Sequence, residues 1–144
     1  MTSPSLSAAE RLTAAGQRLT VQRVVVADAL LRSRRTVTAQ ELFERLRPRH
    51  PSLGRATVFR TLEVLVDAGI AQRFERSGHA GAYVACEPTH HHHLVCRACG
   101  GSTDIDDEEV AVLVEAVRAR HGFVLDHDAL DFHGVCRRCD SAGG

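Results

Sequence analysis

Over the first seventy positions apolar residues recur at helical spacing; beyond them the pattern shifts to alternation. Thr20 is placed to cap a helix whose apolar face is Val21, Val24, Val25, Ala29 and Leu30, with Gly16-Gln17 marking the turn before it. Thr38-Ala39-Gln40-Glu41 is a capping box, in which the hydroxyl accepts from a backbone N–H three residues on and the carboxylate reaches back. It opens a short helix with Leu42, Phe43 and Leu46 inward, which must stop near Pro48, and His50-Pro51 keeps the chain extended. A third helix is predicted from about Ser52 through Arg55, Val58, Phe59, Leu62, Leu65 and Val66 to Gly69, where a left-handed cap is natural. Residues 70–74 and 82–86 read as strands around a turn at 77–81. Three helices followed by a β-hairpin make a winged helix-turn-helix.

The second half predicts short strands at 93–97 and 102–105 around a Cys-x-x-Cys turn. A helix over 106–120 follows, with acids in its first turn, Arg118 and Arg120 in its last, and Val110, Leu113, Val114 and Val117 at helical spacing. Gly122 closes it, and 123–133 reads as a strand whose alternation breaks around 126–128. The fold class is therefore α+β: a winged helix over 1–86 and a small α/β unit over 87–144. A unit with one helix and few aromatics has a thin core and needs a metal staple, a partner chain or both.

The chain has 144 residues, 44% hydrophobic and 25% charged, which fits one or two small globular units rather than a long multidomain enzyme. No segment approaches the roughly 20 apolar residues of a membrane span, and the start lacks the layout of a secretory signal, so a cytoplasmic location with no membrane partner is expected. The net charge of zero conceals a split. The residues before Gly78 carry 13 Arg against 7 acids, and the remainder 5 Arg against 11 acids. All 18 basic residues are Arg, whose guanidinium fork suits phosphate oxygens and guanine edges, although an Arg-rich solvated surface would give the same composition.

Five cysteines in a reducing compartment point to metal or redox chemistry rather than a disulfide framework. Cys96-Arg97-Ala98-Cys99 and Cys136-Arg137-Arg138-Cys139 are two knuckles that together supply four thiolates for tetrahedral Zn²⁺. A thioredoxin-like redox role would call for a single such motif opening a helix in a βαβ unit; reversible oxidation of the same thiols is the other alternative. His90-His91-His92-His93 is a second cluster. On an extended segment His91 and His93 share one face, and His90 and His92 the other, so one run can feed two sites. Cys86 is the cysteine left over, and a soft thiolate beside imidazoles favours Zn²⁺ over Fe²⁺ or Mn²⁺. Asp104, five residues after the first knuckle, is a candidate fourth ligand or a plain turn carboxylate. His79, His127 and Asp128 are weaker candidates, each equally readable as surface.

Taken in order, Ala14-Ala15-Gly16-Gln17-Arg18-Leu19-Thr20, Gly54-Arg55-Ala56-Thr57-Val58-Phe59-Arg60-Thr61-Leu62, His90-His91-His92-His93-Leu94-Val95-Cys96 and the last knuckle resemble the ferric uptake regulator (Fur) superfamily of metal-dependent repressors. The resemblance implies a homodimer that binds palindromic operator DNA through its winged helices and pairs through a C-terminal dimerisation unit, with a structural zinc and one or two regulatory metals. It places Arg55, Thr57, Phe59 and Arg60 at the major groove or nearby phosphates and Arg18 near a minor groove. Arg to guanine and an apolar ring against a thymine methyl are physically natural pairings there.

Cys86 with His91 and His93 is similar to the zinc-sensing (Zur) branch, although Gln72 stands where that branch has an aspartate. His91, His93 and Asp104 also match part of the peroxide-sensing (PerR) site, with Ala85 and Thr36 at its other positions. An Fe²⁺- or Mn²⁺-dependent peroxide or iron sensor is thus the alternative to a zinc sensor. His90 and His92 match the family's second metal site, whose helix acid falls at Ala111 and whose last histidine falls at Asp128; Asp128, His127 or Glu108 would have to substitute. Two other classes compete. A metalloenzyme would need an open coordination position and a substrate pocket, and no H-E-x-x-H motif supports it. A structural zinc-ribbon adaptor would bind protein and show no steep salt dependence on duplex DNA.

Overall fold

The computed structural model describes residues 6–75, 81–86 and 91–143, and these fall into two compact units, one ending at Cys86 and the other starting at Glu87. The first contains α1 (Ala8–Ala14), α2 (Val21–Leu31), β1 (Val37–Thr38), α3 (Ala39–Leu46), α4 (Arg55–Asp67), β2 (Ala71–Glu75) and β3 (Gly81–Ala85). The strands form one antiparallel sheet in the order β1-β3-β2. This is the predicted three helices and wing, with one more helix in front and a two-residue strand paired to the wing at Val37↔Tyr83.

Local chemistry sets the boundaries. Thr20 Oγ1 accepts from the Arg23 N–H at 3.2 Å, and Thr38 and Glu41 form the capping box reciprocally, at 3.1 and 2.8 Å. Ser7 and Glu10 repeat that box at the start of α1. The third helix begins at Arg55, three residues later than expected, with Gly54 as its N-cap. Leu12, Val26, Leu30, Leu42, Val58, Leu62 and Leu65 make the core, each with no exposed surface. The α2 face is rotated from the predicted one: Val26, Ala27 and Leu30 are buried, Val24, Val25 and Ala29 are half-buried, and Val21 is 79% exposed. Removing side-chain volume from a core this small is felt directly. Leu62→Ala is expected to lower the unfolding free energy by about 2–5 kcal/mol, as read by urea denaturation.

The second unit contains β4 (His91–Cys96), β5 (Ser102–Asp106), α5 (Asp107–His121), a 3-10 turn (His127–Ala129), β6 (Phe132–Gly134) and α6 (Arg137–Ala142). Its sheet has the order β5-β4-β6, with β4 antiparallel to β5 and parallel to β6. The long strand expected over 123–133 reduces to β6. The acidic residues around 126–128 interrupt the alternation and a 3-10 turn takes their place, while Phe123 and Val124 are 61% and 74% exposed. On α5 only Val110 is buried, and Leu113, predicted inward, is 45% exposed. Gly122 ends the helix in the left-handed region at φ 63°.

Candidate metal centres and nucleic-acid interface

The parallel pairing of β4 with β6 explains how knuckles so far apart in sequence meet. Cys96 lies in register with Gly134, and the Arg97 N–H donates to the Gly134 carbonyl at 2.8 Å. Cys136 therefore arrives beside Cys96, to whose sulfur its N–H donates at 3.3 Å. The intervening residues are used up by β5, α5 and the 3-10 turn. Gly100, at φ 71°, turns the first knuckle. Gly101 lets its own N–H come within 3.3 Å of Cys99 Sγ, and a Cβ at that residue would press to 3.2 Å from the sulfur.

The sulfurs of Cys96, Cys99, Cys136 and Cys139 all lie within 4.8 Å of one another, and Cys99 to Cys136 is 3.9 Å. A tetrahedron with Zn–S bonds of about 2.3 Å has edges of roughly 3.7 Å, so the cluster has the dimensions of a four-thiolate zinc site. Its electrostatics divide the thiols. Donation from the Cys136 N–H, then from the Cys99 N–H, pulls Cys96 down to about 6, and the Gly101 N–H lowers Cys99. Sharing with the Cys136 sulfur, together with desolvation, pushes Cys139 up to about 12. Arg138, hydrogen-bonded to the Cys99 sulfur, is held above its ordinary value.

The histidine run lies on β4, and its alternation separates two clusters. His91, His93 and Asp104 form one: His93 Nδ1 is 2.8 Å from Asp104 Oδ1, and His91 Nε2 is 4.0 Å from the same oxygen. Register does this, since His93 is the cross-strand partner of Asp104. Burial, ahead of the opposing influence of the Asp104 carboxylate, keeps the His93 pKa below its ordinary value and so favours the neutral ring that metals bind. The 2.8 Å contact between His93 Nδ1 and Asp104 Oδ1 fixes the orientation of the ring within the cluster. The second cluster is His92, Asp107 and His127.

Cys86, the last residue of the first unit, is half-buried. Its N–H donates to Ile70 O at 2.8 Å, and its carbonyl accepts from the Arg11 guanidinium at 2.6 Å. Arg11, buried on α1, was not anticipated from the sequence. His79 and His90 lie outside the described residues, as does the side chain of Asp128.

On α4, Arg55, Phe59 and Arg60 are exposed and Thr57 is half-buried, while Val58, Thr61, Leu62 and Leu65 turn inward. The Arg55 guanidinium stacks 5.6 Å over the Phe43 ring, which fixes its base near the helix start. Thr57 and Arg60 line a cleft of about 470 Å³ with Thr20, Gln22, Arg23 and Glu63. Arg18 is exposed in the loop before α2, its carbonyl held by Arg23 at 3.1 Å. No helix among the described residues is long and apolar enough to cross a membrane.

A family model described as the ferric uptake regulator family matches residues 14–140. The chain is 35% identical over 130 residues to a zinc uptake regulation protein of Mycobacterium tuberculosis, covering 90% of this chain and 100% of the relative. Among solved structures, a zinc-bound manganese uptake regulator aligns at TM-score 0.69 with 30% identity, covering 91% of this chain and 99% of that one. A zinc uptake regulator complexed with zinc and DNA aligns at 0.65 with 28% identity, covering 92% and 89%.

Proposed function

Since the chain belongs to the ferric uptake regulator family, we propose that it is a metal-responsive transcriptional repressor, that it binds palindromic operator DNA as a homodimer, and that zinc is the ion it senses. The observation that carries the proposal is the presence of two kinds of metal centre in one unit: a four-sulfur cluster suited to permanent zinc, and a separate His91/His93/Asp104 cluster with no thiolate among its three donors. The first is a staple. The second, with Cys86 offered by the sequence as a further soft donor, is the regulatory site, and a metal there supplies cross-links whose occupancy follows the free ion. The location that suits this work is the cytoplasm.

The interface with DNA is the exposed side of α4, with Arg55, Phe59 and Arg60 foremost, Thr57 beside them, and Arg18 reaching an adjacent groove or phosphate. The second unit supports pairing with another copy. Val112, Leu113, Phe123, Val124 and Val135 are 45–74% exposed, more large apolar surface than so small a unit leaves in water without a partner.

The test is duplex binding by purified protein, before and after mild chelation and over a range of salt. Specific binding is expected to require added Zn²⁺ and to fall with salt by about 0.9 log units per log unit for each phosphate contacted, with Arg55→Ala weakening it. Binding that ignores both metal and salt refutes the proposal and favours a protein-binding adaptor.

A further inference from the structure

We propose that Arg73, at the root of the wing, is a further contact to DNA phosphate, aimed by Glu63 of α4 and seated against the bare backbone of Gly81. The contact rests on α4 being the DNA-facing helix, and it carries that interface onto the sheet. Arg73 lies on β2 and Gly81 on β3. Glu63 follows Arg60 by three residues and Phe59 by four on α4, so all three share the side of the helix assigned to DNA.

A carboxylate on that side needs an account. Glu63 lines the cleft of about 470 Å³ with Thr20, Arg23, Thr57 and Arg60, where a bare negative charge would repel a phosphate backbone. Two groups answer it. The Tyr83 hydroxyl donates to Glu63 Oε1 at 2.5 Å, and Arg73 Nη1 stands 3.5 Å from the same oxygen. Tyr83 is 1% exposed, and burial, followed by the hydrogen bond to Glu63, pushes its pKa up to about 12, so it remains a donor at neutral pH. Tyr83 thus fixes the carboxylate, and the carboxylate fixes one end of the guanidinium. Register supplies the neighbourhood, since Arg73 is the cross-strand partner of Tyr83.

Gly81 holds the other edge. A Cβ at that residue would stand 2.8 Å from Arg73 Nε, 3.1 Å from Nη2 and 3.2 Å from Cζ, so the guanidinium occupies the space a side chain at 81 would take. The fork is therefore held from two sides, at Nη1 by Glu63 and along Nε and Nη2 by the glycine, while 52% of the side chain stays open to water. A guanidinium carries five N–H donors in a rigid plane, more than one carboxylate oxygen can take, and its shape suits phosphate oxygens. An ion pair this exposed adds little to stability, so what Glu63 supplies is direction. An arginine already ordered loses less side-chain freedom on meeting a phosphate than a free one does.

The test is fluorescence anisotropy of a labelled duplex of mixed sequence, with the full chain saturated in Zn²⁺ and the salt varied. A phosphate contact is blind to sequence, so any duplex reads it. Arg73→Gln is expected to lower the slope of log affinity against log salt by about 0.9, a loss of roughly eightfold at about 0.1 M salt that fades toward about 1 M. Arg73→Lys, a point charge on a similar stem, should restore most of the slope. Gly81→Ala, which changes no charge but displaces the fork, should weaken binding. All three variants should melt with the parent chain. A slope in Arg73→Gln equal to the parent's overturns the assignment, whether or not affinity falls, because a merely structural role lowers affinity without changing the number of phosphates contacted. Affinity unchanged in Gly81→Ala overturns the part given to the glycine. A flat salt response in the parent chain would instead refute the DNA reading itself, and the Arg73 contact with it.

Discussion

Stripping zinc with a strong chelator, or substituting Cys99→Ser, is expected to unfold the second unit while the first retains its helices. The reason is the distribution of core. Of the large apolar side chains with less than 2% exposure among the described residues, Val110 alone belongs to the second unit; Leu12, Val26, Leu30, Val37, Leu42, Val58, Leu62, Leu65 and Tyr83 belong to the first. The second unit's other buried residues include Val95, Cys96 and two histidines, which cannot offset the entropy of ordering a chain of that length. Zinc bound by four cysteines supplies the missing term, since structural Zn²⁺ in small domains is worth about 10–16 kcal/mol at pH 7. Acid should act like the chelator. Without the ion the Cys96 thiol is already held down to about 6 by backbone N–H donation, so its thiolate is available to zinc at neutral pH, and protons compete with the ion for all four sulfurs as the pH falls. Cys139, held up at about 12, loses its proton to solvent only when an incoming ion displaces it. A far-UV melt recorded with and without chelator, at pH 7.5 and near pH 5, checks both statements. The expectation is an early transition that appears on chelation or acidification. A melt indifferent to both treatments contradicts the staple.

Capping boxes were the most legible feature of the fold, because they are local: Thr38 and Glu41 need only each other and a backbone turn. The same signature stands at Ser7-Ala8-Ala9-Glu10, so α1 is equally legible from its residues. The four-sulfur cluster was legible from spacing alone, since a two-residue knuckle aims both sulfurs at one point wherever it lies. Period-two alternation likewise separated His92 from His91 and His93. What the sequence did not reveal depends on tertiary placement. Asp107 became a neighbour of His92 because the β5–α5 junction sets the first residue of the helix beside β4; matching by position points to Asp128, His127 or Glu108, and of these the cluster holds His127. Arg11 reads as a solvated helix residue until the wing is folded against α1 and offers the Cys86 carbonyl. The face of α2 was misjudged at Val21 because a first-turn valine at the right period can still lie beyond the edge of the core.

His91→Ala combined with Asp104→Asn is expected to abolish the zinc-dependent gain in operator affinity while leaving the four-sulfur zinc and the melting behaviour unchanged. Asp104 is more than half exposed and makes one cross-strand contact with each histidine, so its conversion to the isosteric amide removes charge without opening the core. His91 leaves only 9% of its side chain exposed and meets the His93 ring edge to face at 4.7 Å, so Asp104→Asn alone, which keeps that packing, is the control for the double variant. The size of the effect follows from linkage. Driving a dimer from 1:99 to 99:1 in its DNA-competent state requires the ion to prefer that state by about 5.5 kcal/mol, so losing the site returns operator affinity to its metal-free level, roughly a hundredfold below the saturated one. Cys86→Ser should fall between, with a higher zinc concentration needed for half-maximal binding, if its thiolate is the soft fourth donor. Fluorescence anisotropy of a labelled operator duplex, titrated with buffered zinc for the parent chain and each variant, separates these outcomes. An unchanged zinc response in the double variant would move the switch away from the β4–β5 cluster.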